Sequence, residues 1–232
     1  MKTEKITSGS KVIDELLEGG YEKDVMTTIF GPAGSGKTTM CLLCSLSMAS
    51  EGKKVIFIDT EGGFSVERLK QLQGYSEESI KKILILEPTT FEEQNRMFAN
   101  VRQMTNDKIG LIVVDTISML YRIECGKTKD FKSVNNQMGL QISLLTEITR
   151  KQKIPILLTN QVYANFEEPE KVKMVGGDIL RYSSKCLLEL EKFKTRRKAI
   201  VIKHRSIPED KEAVFEIKEK GFAAIPQQSP QA

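Results

Sequence analysis

Gly31-Pro-Ala-Gly-Ser-Gly-Lys37-Thr38 decides the fold. It matches G-x-x-x-x-G-K-[ST] at every fixed position and lies between the apolar run Val25–Phe30 and a helix-patterned segment, Lys37–Ala49. A glycine-rich turn from a buried strand into a helix lets backbone N–H groups wrap phosphates, and the helix N-terminus adds partial positive charge. Gly31, Pro32, Ala33, Gly34, Ser35, Gly36, Lys37, Thr38 and Thr39 are therefore the expected phosphate-binding set. Lys37 is expected to reach the β- and γ-phosphates, and the Thr38 hydroxyl to coordinate Mg²⁺.

On both sides of this turn, strand and helix patterns alternate. Val25–Phe30, Lys54–Asp59, Ile83–Leu86, Leu111–Asp115 and Ile154–Thr159 read as strands. Lys37–Ala49, Ser65–Gln73, Thr90–Met104 (with Thr89 or Thr90 as N-cap) and Asn135–Arg150 read as helices. That order predicts an α/β fold with a mostly parallel central sheet flanked by helices. Lys185–Lys192, Lys198–Lys203, Ala213–Lys218 and Phe222–Ile225 are short strands joined by tight turns, an antiparallel extension of the sheet. Tyr121–Val134 and Tyr163–Asp178, polar and aperiodic, read as long loops. Residues 1–225 form one core in this reading, and 226–232 a disordered tail.

The 232 residues, 40% of them hydrophobic, suit one globular α/β domain. No run is apolar enough to span a bilayer and the N-terminus lacks a secretory pattern, so a cytoplasmic protein is expected. A net charge of +4 does not by itself indicate nucleic acid. Its distribution is more telling, because Lys192–Arg205 carries seven cations and no acid. Cys41 and Cys44 have half a zinc-site spacing, but there is no second CxxC and His204 is the only histidine. Small buried hydrophobes are the better reading.

Three further positions carry chemistry. Asp115 ends an apolar strand 78 residues after Lys37, where a carboxylate can hold the magnesium shell through water. Glu61 leaves the second strand beside the phosphate loop, where it can polarise an attacking water. Gln161 ends the fifth strand, where an amide can bond the γ-phosphate and move the loop that follows. No Asn-Lys-x-Asp segment is present, which favours ATP over GTP.

The segments ITSGSKVIDELLEGG, GPAGSGKTTMC, FIDTEGGFSVERL, LIVVDTIS, LLTNQV and VGGDIL occur in the order found in RecA-family recombinases of archaea and eukaryotes. The resemblance runs from about Ile6 to Ile225 and is nearest to the short archaeal paralogues of the strand-exchange recombinase RadA. It implies a RecA-like P-loop NTPase core with ATP and Mg²⁺ as cofactors, Lys37, Glu61 (as base) and Gln161 as catalytic residues, and Arg68 stacking on adenine. It also implies that Tyr121–Val134 and Tyr163–Asp178 face DNA. This chain departs from the pattern in its acidic second loop and in Ser65, where an Arg is expected. Only five residues precede Ile6, so neither a helical DNA-binding domain nor a Phe-containing tether is expected. An accessory factor of recombination and repair with weak, DNA-dependent ATPase activity follows, acting on DNA and on RadA or other recombination proteins. A small homo-oligomer is compatible with it; an autonomous filament is not expected.

Sequence-independent contacts to DNA phosphates are expected from Arg196, Arg197, Lys198, Lys203 and Arg205, and secondarily from Arg122, Lys127 and Lys129. Two other readings stay open. One is a ring-forming helicase or clock-type ATPase on the same core. The other is an interaction protein in which ATP only sets conformation.

Overall fold

The computed structural model describes residues 4–164 and 172–225. The N-terminal strand β1 (Lys5–Ile6) pairs antiparallel with β2 (Tyr21–Glu22) across helix α1 (Lys11–Leu16). The core then alternates β3 (Met26–Phe30), α2 (Lys37–Ser50), β4 (Lys54–Asp59), α3 (Val66–Gln71), α4 (Glu77–Ile80), β5 (Ile83–Leu86), α5 (Phe91–Met104) and β6 (Ile109–Asp115). It continues through α6 (Met119–Lys127), α7 (Phe131–Gln152), β7 (Ile156–Asn160), β8 (Val162–Ala164), β9 (Val172–Met174) and α8 (Gly177–Ser183). The chain closes with β10 (Cys186–Phe193), β11 (Arg196–Lys203), β12 (Glu212–Lys218) and β13 (Gly221–Ala224).

Nine strands form one sheet in the order β13-β12-β11-β10-β3-β7-β6-β4-β5. The pairs from β10 through β5 are parallel, and those from β10 outward to β13 are antiparallel. The expected extension is thus present. The central strands are apolar because both faces are covered, and their side chains alternate between two cores. Val55, Phe57, Leu111, Val113 and Leu157 pack toward α1, α2 and α3; Ile56, Ile58, Ile112, Val114, Ile156 and Leu158 pack toward α5, α6, α7 and α8. Helix α2 is nearly engulfed, with Cys41 and Cys44 fully buried. Burial pushes both thiols well above their usual pKa, which fits the reading of inert core residues.

Caps set helix starts. Thr90 Oγ1 accepts the Glu93 N–H at 3.1 Å, while Glu93 Oε2 accepts the Thr89 N–H at 2.8 Å, a reciprocal arrangement that fixes the first turn of α5.

Two expectations are corrected. Tyr121–Val134 is mostly helical, lying in α6 and the first turn of α7 rather than in a loop. Leu120 and Val134 are buried, Tyr121 meets Phe91 edge-on at 6.1 Å, and the Asp130 side chain accepts the Ser133 N–H to start α7. The helix touches the core along a narrow stripe, which left too few apolar residues for a period to show. Tyr163–Asp178 is not one loop either, because β8 and β9 pair antiparallel and α8 begins at Gly177. The acidic part of that segment, Glu167, Glu168 and Glu170, lies outside the described residues, as does the tail 226–232.

Candidate nucleotide-binding site

The chain leaves β3 through the glycine turn, enters α2, and crosses over β7 and β6 to place β4. The carboxyl ends of β3, β7 and β6 therefore open beside the N-terminus of α2, the position where open α/β sheets bind ligands. A cleft of about 400 Å³ lies there, lined by Gly31, Lys37, Thr38, Glu61, Asp115 and Gln161 among others. Segments far apart in sequence converge on it.

The turn itself needs glycine. Gly34 has φ +71° and Gly36, the N-cap of α2, has φ +108°. Left-handed steps of this kind let successive N–H groups turn toward one concavity. Lys37 is buried and donates to Gly31 O at 2.8 Å and Pro32 O at 3.0 Å. Burial lowers its pKa, opposed by the charges of Asp115 and Glu61. Ser35 Oγ is buried with no hydrogen-bond partner among the described residues. A cradle of N–H groups, a buried ammonium and an unsatisfied hydroxyl fit a polyphosphate.

Asp115 accepts a hydrogen bond from Thr159 Oγ1, and the Thr38 side chain lines the cleft beside it. Burial raises the pKa of Asp115, and the Thr159 and Thr38 side chains oppose the rise. A hydroxyl and a carboxylate together at the foot of the cradle fit the donor set of a Mg²⁺ ion. Thr38 and Asp115 are thus together as expected.

Glu61 is presented by a shaped turn. Asp59 Oδ1 accepts the Glu61 N–H at 3.0 Å, and Oδ2 accepts the Phe64 N–H at 2.7 Å. Thr60 Oγ1 donates to Thr116 O at 2.7 Å and accepts the Thr116 N–H at 3.0 Å, locking the ends of β4 and β6. Glu61 Oε1 accepts from Gln161 Nε2 at 2.6 Å and from Thr116 Oγ1 at 3.1 Å. The predicted base and the predicted sensor are therefore in direct contact. Asp59, Thr60, Thr116 and Thr159 are not singled out by the sequence. The one signal for them is the polar cluster at the strand ends, Asp59-Thr60, Asp115-Thr116 and Thr159-Asn160.

Arg68, expected to stack on adenine, is engaged with backbone carbonyls. It does not line the cleft; its guanidinium donates to Lys218 O, Glu219 O and Gln71 Oε1, tying α3 to the β12–β13 turn.

Most of the tail cations expected to meet DNA phosphates are engaged within the fold. Lys203 Nζ donates to Arg181 O and Ser184 O at 2.7 and 2.8 Å, closing the C-terminal end of α8. Arg205 bridges Glu22 at 2.8 Å and Asp24 at 2.7 Å. His204 Nδ1 accepts from the Ser206 and Ile207 N–H groups, and burial lowers its pKa, opposed by the charge of Glu22. Lys198 pairs with Glu191 and Glu212, and Arg197 Nε donates to Gly34 O. Arg196 makes no side-chain bond among the described residues. On α6 and the turn after it, Arg122 and Lys129 are exposed and Lys127 lies 3.5 Å from Glu124.

Removing Arg205 leaves the buried Glu22 carboxylate without its cation. Arg205→Ala is expected to lower stability by about 2 kcal/mol, after allowing for the partial exposure of the arginine. Urea unfolding checks this, and an unchanged midpoint contradicts it.

The strand order, the glycine cradle and the paired Glu61 and Gln161 define a RecA-like P-loop NTPase core. A family model described as Rad51 matches residues 1–225. A "DNA repair and recombination protein RadB" of Methanobrevibacter smithii is 41% identical over 220 residues, spanning 90% of this chain and 92% of the relative. A protein of the same name from Methanococcus maripaludis strain C7 is 43% identical over 218 residues, spanning 92% and 98%. A solved structure titled "Crystal structure of the RadB recombinase" matches with TM-score 0.80 at 34% identity, covering 95% of this chain and all of that one. The chain belongs to the Rad51 family, on its RadB branch.

Among the described residues, no helix is long and apolar enough to cross a membrane, and no cluster of His, Cys, Asp and Glu suited to a metal occurs.

Proposed function

We propose that the protein is an ATP- and Mg²⁺-binding, weakly hydrolysing factor of homologous recombination and DNA repair that binds DNA and modulates the main recombinase. The observation that carries this reading is the Gln161–Glu61 hydrogen bond at the mouth of the phosphate cradle, one residue before β8. When bound, ATP supplies the phosphoanhydride to be cleaved and Mg²⁺ neutralises its charge.

The chain's own residues do the rest. The loop N–H groups and Lys37 bind the phosphates, and Thr38 and Asp115 hold the metal. Glu61 Oε1 orients a water and accepts its proton. The Gln161 amide, which donates to Glu61 here, is the donor a γ-phosphate oxygen competes for. Its rotation releases the carboxylate and pulls on β8, an order-linked switch of the kind nucleotide-dependent proteins use.

The two segments read as DNA-facing lie side by side, since the Tyr121 ring is in reach of a Cβ at Gly176 at 3.9 Å. Tyr163 is 51% exposed on β8, and Lys127, Lys129 and Lys132 are exposed around the α6–α7 turn. Exposed cations for phosphate contacts, together with an exposed aromatic that can stack on a base, suit single-stranded DNA. With their donors already engaged, Lys203 and Arg205 are less suited to that role.

The test is binding of fluorescent single-stranded DNA across a salt series. Wild-type affinity is expected to fall steeply with salt, independent of base sequence. Changing Lys127, Lys129 and Lys132 together to Ala is expected to shrink the log–log slope by about 0.7 for each phosphate that the variant no longer neutralises. An unchanged slope in that variant moves the DNA surface elsewhere.

A further inference from the structure

The phosphate loop does not stand alone. The antiparallel extension presses on it from outside at three places. Leu190 O of β10 occupies the space a Cβ at Gly31 would need. Ile217 of β12 and Phe222 of β13 lie 3.0 and 3.6 Å from the Cβ position of Gly36. At the apex between them, Arg197 Nε donates to Gly34 O at 2.9 Å.

The same guanidinium donates through Nη1 to Lys194 O at 3.1 Å and Arg196 O at 2.9 Å, the carbonyls of the β10–β11 turn. One side chain thus joins the tip of the hairpin to the tip of the phosphate loop, 163 residues earlier in the chain. A loop built on left-handed glycines has many conformations open to it. Fixing the Gly34 carbonyl outward removes those in which the neighbouring N–H groups face away from the cradle. Binding then costs less ordering entropy.

We propose that Arg197 is a positioning residue of the nucleotide site, holding the phosphate loop open for phosphate from the β10–β11 hairpin. The inference rests on the reading that Gly31–Thr38 binds nucleotide. Arg197 itself does not touch the cleft, so its effect runs through Gly34. Coupling of this kind is reciprocal: if the hairpin prepares the loop, phosphate in the loop must stiffen the hairpin.

The experiment is titration of fluorescent mant-ADP and mant-ATP into wild type, Arg197→Ala and Arg197→Lys, with melting curves for each. Hydrogen exchange of residues 193–197 is followed with and without ADP. Arg197→Ala is expected to weaken both nucleotides about fivefold to tenfold, the scale of one missing charged hydrogen bond, with the shift falling on KM rather than kcat. Arg197→Lys, which keeps one cationic donor but not the fork, is expected to fall between. ADP slows exchange at the hairpin in wild type and not in Arg197→Ala. Nucleotide affinities in Arg197→Ala equal to wild type, with or without a lowered melting temperature, overturn the proposal; so does hairpin exchange that ignores ADP in wild type. Should Arg197→Ala fail to fold, wild-type affinity in Arg197→Lys combined with unresponsive hairpin exchange overturns it equally. Wild type that binds neither nucleotide overturns the underlying site assignment as well, which separates the two failures.

Discussion

Lys37→Ala is expected to raise the dissociation constant for ATP by about a hundredfold, the largest effect on binding in this molecule. Lys37 is the buried cation of the cradle, held by Gly31 O and Pro32 O at the level where phosphates arrive. Its loss removes charge-assisted bonds worth about 3 kcal/mol, and that energy converts to roughly two orders of magnitude in affinity. The fold should tolerate the change, because Lys37 lines the cleft, where water can reach the carbonyls it leaves, and α2 keeps its apolar contacts. Isothermal titration with Mg-ATP measures the effect, with circular dichroism as the control for folding. Affinity within a factor of about three of wild type would place the phosphates elsewhere.

Glu61→Gln separates binding from chemistry. The amide keeps an oxygen to accept from Gln161 and from Thr116, so the rim of the cleft should hold its shape. What it loses is the ability to take a proton. ATP binding is expected to stay near wild type while turnover falls at least about a hundredfold, the range general bases contribute. Equal loss of binding and turnover would show that Glu61 serves the cradle and not the water. Measuring both quantities on one preparation decides this.

Much of this site is legible without any geometry. The cradle residues are adjacent in sequence and their spacing is fixed by the loop itself, so Gly31 to Thr38 can be read directly. Asp115, Glu61 and Gln161 are legible because each ends a strand whose apolar run is easy to see, and parallel strands bring their carboxyl ends to one edge. The register agrees, with Asp59 opposite Asp115 on β4 and β6. The threonines that orient these groups are not legible, since a hydroxyl between two strands matters only when the pairing is known.

Surface chemistry reads less well, for a different reason. Arg205 and Glu22, or Arg197 and Gly34, are far apart in the chain, and nothing local marks them as partners. A cluster of cations in sequence therefore looks free when four of its members are already bonded. Helix α6 escapes the periodicity because its contacts with the core are few. Arg68, which the resemblance gives to adenine, donates to the carbonyls of Lys218 and Glu219, a pairing that nothing local in the sequence marks.

The proposed function stands or falls on whether the Glu61–Gln161 contact couples the nucleotide to DNA. The decisive measurement is steady-state ATP hydrolysis with and without single-stranded DNA, for wild type and Gln161→Ala. Wild type should show a low rate that changes with DNA, and Gln161→Ala should bind ATP yet give one rate in both conditions. A wild-type rate indifferent to DNA, or a Gln161→Ala variant that responds as wild type does, would rule that coupling out.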